Sequence, residues 1–451
     1  MGLGLAGYIP LAVYVLGLGV AALVLFWRTE LGLYFLVPLL PLENVLSKVD
    51  RYPAGKDLVD ILVAAMVIGW VVRGLGKKER IFAKTPLNLP ILLLAGTSYI
   101  ALWRGSSFLG LDPPLALGDP RLMNWKNYMI LPLLYLITVN NVKSVKQIML
   151  LVLLMAGSMI LMDFFFYNEL RWVKTWHYSH KMRIEGSFRY LSANSIAAFY
   201  AEYSLVLLGL IFFDKLKRRR LLFMMILLAN TYCLMFSFSR GAYLAGLVGG
   251  IFVLFVARRK YLPLLFALAL GGLFVAPRVL PVSVVERIDM TMEKENDGVG
   301  GDAKFDSSAE ARLDFWAYAI DVFKANPVFG RGFDTFIRSH PERMDTHNMY
   351  LNVLAEMGLV GGTILMLLFF LSFRDGWKLY RVSEERFLRG LGLGFSGCVI
   401  ACMISNIFGN RWTYVPLSTY YWVFWGLVMR GRILAQEKSA GWELQETGEN
   451  T

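Results

Sequence analysis

The chain has 451 residues, is 56% hydrophobic and only 18% charged, and carries a formal net charge of +12. That balance lies outside the soluble globular range and places the chain among polytopic membrane proteins. The basic residues are dispersed over many loops rather than gathered on one domain, which argues against nucleic acid as a partner.

Apolar runs long enough to span a bilayer occupy 8–27, 58–76, 87–103, 126–139, 146–166, 191–213, 220–238, 241–257, 261–280, 351–373, 387–408 and 414–430. A shorter run at 31–46, broken by Pro38 and Pro41, is either a thirteenth span or a re-entrant segment. The expected fold is all-α: a polytopic membrane helical bundle of 12–13 transmembrane helices, forming one domain over 1–451. A large loop at 281–347 is inserted in it, and 434–451 is expected as a cytoplasmic tail. Met1–Pro10 lacks the positively charged start of a cleavable signal, so the first run is expected to be a retained span. Cys233, Cys398 and Cys402 all fall within apolar runs and read as small packed residues; the outer loops hold no disulfide framework.

Basic clusters at 73–84, 143–146, 214–220, 258–260, 374–389 and 430–438 recur at every second junction. The positive-inside rule assigns those to the cytoplasm and the loops 104–125, 167–190, 281–347 and 409–413 to the opposite side. The side of the N-terminus depends on whether 31–46 spans.

The outer loops concentrate the polar residues. In 167–190, basic residues alternate with aromatics. This is an interfacial belt reaching toward lipid head groups, a cationic rim for an anionic substrate, or both. In the large loop, Ser307 and Glu310 have capping-box spacing. Arg312, Trp316, Ala319 and Phe323 then share one helical face, predicting an amphipathic helix laid on the bundle. Asn326-Pro327 ends that helix, and Gly330-Arg331-Gly332 is expected to be a flexible turn. The polar, glycine-rich stretch Asp297–Gly301 fails as a calcium loop, because Lys304 stands where a bidentate Glu is needed.

Two residues stand out for chemistry. Arg240 sits in a tight turn between two spans, followed by Gly241, Ala242, Ala245 and Gly246, whose small size lets helices close around the guanidinium. Snorkelling to the bilayer edge is the bland alternative. His347, with Asn348 beside it, begins a span, and all four histidines (177, 180, 340 and 347) fall on the outer side. Histidine accepts a proton near neutrality, which suits a general base. Arginines suit a diphosphate through bidentate hydrogen bonds and a fixed charge. The outer loops carry no Asp-x-Asp pair and no Cys/His metal cluster, and no nucleotide-binding glycine loop follows a strand. A metal-independent, cofactor-free reaction on an activated, membrane-borne phosphate ester is what remains.

Ser239-Arg240-Gly241-Ala242, Arg312-Leu313-Asp314-Phe315-Trp316, Asn326 to Gly332, His347-Asn348 and Glu356-Met357-Gly358 occur in an order and spacing that resemble the O-antigen ligase/polymerase superfamily. Arg183-Ile184-Glu185-Gly186-Ser187-Phe188 with Asn194 and Ala197 looks like an upstream signature of the same family. The resemblance implies a membrane glycosyltransferase of the GT-C type in the bacterial inner membrane, working at the periplasmic face. It would move a glycan from undecaprenyl pyrophosphate to an acceptor hydroxyl, with inversion. By the same resemblance His347 would activate the acceptor, while Arg240 and Arg312, assisted by Arg183, would bind the pyrophosphate. Asn194, Arg189 and Asn348 would position substrate. Asp302, Asp306 and Asp314 rank below His347 as the base. Ligation onto lipid A–core comes first, polymerisation onto another glycan second, and protein O-glycosylation third. A transporter is the competing class, but no inverted repeat is evident and few ionisable residues, Asp163 and Glu202 among them, lie within spans.

Overall fold

The computed structural model describes residues 5–78, 80–116, 118–173, 176–189, 192–258, 281–289 and 307–448. Within them the regular structure is helical, and no strand occurs. The apolar runs become α1 (Leu5–Phe26), α2 (Glu30–Leu39), α3 (Glu43–Leu46), α4 (Leu58–Gly76), α5 (Asn88–Phe108), α6 (Pro120–Asn141), α7 (Val145–Leu170), α8 (Ala193–Phe213), α9 (Lys217–Met235) and α10 (Arg240–Ala257). After the described part of the large loop come α14 (Met349–Val382), α15 (Arg386–Ser405) and α16 (Val415–Gly448). The loop itself contributes α11 (Val282–Asp289), α12 (Ser307–Ala325) and α13 (Phe336–Ser339).

Among the described residues, seven helices are long and apolar enough to cross a membrane, against the 12–13 expected. The difference has a compositional cause. Helices α5, α6, α9 and α16 have spanning length but carry polar or charged residues, such as Arg104 in α5 and Lys217–Arg220 in α9. The expected span at 261–280 lies outside the described residues, as does the stretch 297–301. The segment 31–46 is a bent pair: the chain turns by 97° between Glu30–Leu39 and Glu43–Arg51. From 434, where the tail was expected, α16 continues as helix to Gly448.

The centre of the bundle is α8 against α15. Sixteen of the 21 residues of α8 and 15 of the 20 of α15 are buried. They approach so closely that a Cβ on Gly209 would lie 2.4 Å from the Gly390 carbonyl oxygen, so only glycine fits. Around them packs an aromatic core that includes Trp412, Tyr420, Tyr421, Trp422 and Trp425, all 1% exposed or less.

The two ends of the bundle differ. At one end Arg28, Arg73, Lys77, Arg80, Lys143 and Arg430 line a common recess. Arg73 donates to the carbonyls of Val24 (2.9 Å) and Leu25 (3.0 Å), satisfying the C-terminus of α1. Helix α7 leads from this end to the other, where Glu169 accepts from the Gly186 N–H at 3.0 Å. The loops carrying the candidate chemistry gather there.

Candidate active site

Five arginines from separate elements meet in one cleft: Arg183, Arg240, Arg287, Arg312 and Arg411, with Asn194 among them. The described residues lining it include no carboxylate. Its free volume is about 20 Å³, roughly the space of a single water.

Each arginine arrives for a local reason. Met235 ends α9 and Arg240 starts α10, so the turn between them is only a few residues long. Phe238 makes that turn with φ of 54°, in the left-handed region that a bulky residue rarely enters. Ala242 and Ala245 then bury against Ala197, Ala201 and Ala401, holding the start of α10 inside the bundle. The positive end of that helix opens on the cleft. Arg183 donates to Asn194 Oδ1 at 2.5 Å, which ties the outer loop to the first turn of α8. Burial pushes the Arg183 pKa down from its ordinary value, and the nearby Arg287 and Arg240 charges add to that. Arg312 comes from the first turns of α12, which rests on the loop below through Trp316 Nε1, donating to the Thr346 carbonyl at 3.1 Å.

Arg287 and Arg411 were not singled out from the sequence. Arg287 sits on α11, which docks on the outer loop. There Glu286 accepts from the Tyr178 N–H at 2.7 Å and pairs with His177 Nδ1 at 2.7 Å. Arg287 itself stacks over the Tyr178 ring. Arg411 is held at the C-terminus of α15 by the carbonyls of Ser405 (2.5 Å) and Phe408 (3.3 Å). Burial pushes its pKa down to about 10, with Arg312 also lowering it and Glu202 opposing. Glu202, fully buried on α8, accepts from Ser405 Oγ at 2.5 Å and so stands behind Arg411 as a counter-charge. The one sequence signal for Arg411 was an arginine on a short outer loop, where positive charge is disfavoured.

His347 lies beside this cleft, close enough for Arg312 and Arg411 to act on its charge. Its φ of 51° is left-handed, a conformation that non-glycine residues keep mainly where surroundings impose it. Its ring packs against Phe315 at 5.9 Å between centroids. Burial pushes its pKa below 6.5, and Asp345 opposes that. Asp345, which also went unnoticed in the sequence, is itself pushed up by burial, and accepts from Asn410 and from Thr346, each at 3.3 Å.

The other expected residues are placed as follows. Asn348 Oδ1 accepts from the Leu351 N–H at 3.1 Å, making Asn348 the N-cap of α14 rather than a lining residue of the cleft. Arg189 is exposed and does not line the cleft. Asp314 is exposed on α12, while Asp302 and Asp306 lie outside the described residues. The buried face of α12 is centred on Phe315, Ala319 and Val322, with Trp316 and Phe323 only half-buried. His340 is enclosed by Phe315, Tyr318 and Phe336.

The turn at Gly330-Arg331-Gly332 is pinned, not flexible. Arg331 and Gly332 N–H groups donate to Ala355 and Glu356 carbonyls at 2.8 and 2.9 Å, and Leu359 N–H donates to the Pro327 carbonyl at 2.8 Å. This docking uses a break in α14 at Gly358, whose φ is 62°. A Cβ there would lie 2.4 Å from the Val328 oxygen. The two glycine-bearing motifs of the sequence are therefore one interlocked joint that sets the position of the loop over the bundle.

An all-α, multi-pass membrane bundle thus carries at one end a cationic cleft with a half-buried histidine beside it. Residues 223–366 match the family model described as O-Antigen ligase, and this segment is that of the O-antigen ligase superfamily. It contains Arg240, Arg287, Arg312, Asp345 and His347, while Arg183, Asn194 and Arg411 lie outside it. No curated protein matches the chain. At the level of the family, the match supports an O-antigen ligase/polymerase-type glycosyltransferase.

Proposed function

We propose that the protein transfers a glycan from undecaprenyl pyrophosphate to an acceptor hydroxyl at the periplasmic face of the bacterial inner membrane, with no metal. The observation that carries this reading is the meeting of five arginines beside the Asp345–His347 pair. The diphosphate of the donor enters the arginine cleft, displacing water and spreading the guanidinium groups. The acceptor oxygen forms a bond to the anomeric carbon while its proton passes to His347. The bond from that carbon to the pyrophosphate oxygen breaks, and the electron pair leaves on undecaprenyl pyrophosphate. A single displacement of this kind inverts the anomeric centre. The arginines stabilise the charge that grows on the leaving group.

Of the acceptors implied by the family resemblance, lipid A–core is the first and another glycan the second. The lining of a neighbouring cavity favours the second. The test of the transfer reading is purified protein in membranes with undecaprenyl pyrophosphate-linked glycan. The expected result is appearance of a glycan-extended acceptor together with free undecaprenyl pyrophosphate. Absence of donor consumption with every acceptor class would sink it.

A further inference from the structure

Asp345 lines a second, much larger space. It has a volume of about 430 Å³, within the range of small-molecule sites. Helix α6, the first turns of α14, and the segments around 333 and 410–416 enclose it. Asp345 lines this cavity and acts electrostatically on His347, two residues along the chain, which Arg312 and Arg411 of the cleft also influence.

Its chemistry is the reverse of the cleft. Four side-chain amides line it, from Asn124, Asn127, Asn352 and Asn410. Four carboxylates accompany them, from Glu43, Asp334, Asp345 and Glu356, and no lysine or arginine appears among the described lining residues. Asp334 is the one acid with a close cation, paired to Arg338 at 2.8 Å. Glu43 Oε2 is buried with no hydrogen-bond partner. Aromatic rings complete the wall: Tyr128 accepts from Trp412 Nε1 at 3.1 Å, and Phe333 stacks on Tyr128.

We propose that this cavity is the acceptor subsite and that it takes the uncharged, hydroxyl-rich end of a glycan. The inference rests on the transfer reading above. Amides and carboxylates match a surface of hydroxyls, which both donate and accept, and the rings cover the apolar faces of sugar rings. A phosphorylated or otherwise anionic acceptor would meet a lining that holds four carboxylates and, among its described residues, no lysine or arginine, and like charges facing one another suppress the wrong partner. The glycan end would present its hydroxyl at Asp345 on the cavity wall, next to His347.

The experiment uses the full-length protein in membranes with a fixed undecaprenyl pyrophosphate-linked donor. Two acceptors are offered: a neutral oligosaccharide on a lipid anchor, and the same acceptor carrying phosphate on its terminal sugars. The expected result is that the neutral acceptor is used at least about tenfold more efficiently. Asn352→Ala should raise the KM for the neutral acceptor by about five- to tenfold, leaving the donor KM unchanged. Asn127→Lys, at an exposed position on the wall, should narrow the preference by giving the phosphate a partner. Equal or better use of the phosphorylated acceptor would overturn the inference while leaving glycosyl transfer intact. So would an acceptor KM that neither variant moves. Donor that is not consumed with either acceptor would overturn the transfer reading, and this inference with it.

Discussion

The arginine cleft and the amide-lined cavity have no described lining residue in common, and they are assembled by different means. In the cleft the charges are imported: the outer loop at 183, α11, the first turns of α12, the start of α10 and the loop after α15 each deliver a guanidinium. In the cavity the polar groups project mainly from the packed helices and from loops fixed to them, and they are amides and acids. The contrast teaches a direction. On the proposed reading, the released diphosphate is held among the arginines of the cleft, while the acceptor lies along the cavity of amides and carboxylates.

The harshest way to break this comparison is to remove His347, on whose charge Asp345 of the cavity and Arg312 and Arg411 of the cleft all act. His347→Ala should lower transfer by about 10²–10⁴-fold, the range of general acid–base catalysis, with protein level and fold retained. Single-turnover transfer checks it. Asp345→Asn should lower transfer less, and a loss larger than that of His347→Ala would make the carboxylate the base. Next in size is the cationic side. Arg411→Ala should lower kcat by about 10²–10³-fold, as loss of a leaving-group stabiliser does, while the acceptor KM holds. An acceptor KM that rises instead would show that the two sides are not separate. A third effect tests the joint that positions the loop. Gly358→Ala forces a Cβ to 2.4 Å from the Val328 oxygen at a φ of 62°. It should cost about 1–3 kcal/mol of stability, read as a lowered unfolding temperature in detergent.

Much of this was legible in the sequence because hydropathy and motif order are local properties. The helical bundle follows from the apolar runs, and Arg183, Asn194, Arg240 and Arg312 line one cleft as their shared outer placement implied. Charge alternation assigned the loops carrying Arg183 and Arg312 to the same side, and the family resemblance added Asn194. What escaped was tertiary. Arg287 has no motif around it and reaches the cleft only because Glu286 docks its helix on Tyr178. Asp345 precedes a conspicuous histidine by two positions and drew no notice, since its partners Asn410 and Arg411 lie far along the chain. Asn348, next to that histidine, looked chemical but caps a helix. Gly330-Arg331-Gly332 looked flexible because glycine's freedom is visible in sequence, whereas the carbonyls that pin it belong to α14.

The smallest effect expected is on the pH profile, and it bears on which influence dominates at His347. Burial lowers the His347 pKa and Asp345 raises it, with burial the larger. A lowered pKa means that the neutral, proton-accepting form persists to lower pH. The acid limb of kcat/KM should therefore have its midpoint below 6.5, the ordinary histidine value. In Asp345→Asn the opposing charge is gone, so the midpoint should move further to the acid side. A wild-type midpoint above 6.5 would mean that the Asp345 carboxylate outweighs burial and that His347 works as half of an ion pair. The cavity side would then carry a net neutral wall, and its discrimination against phosphate should weaken in step.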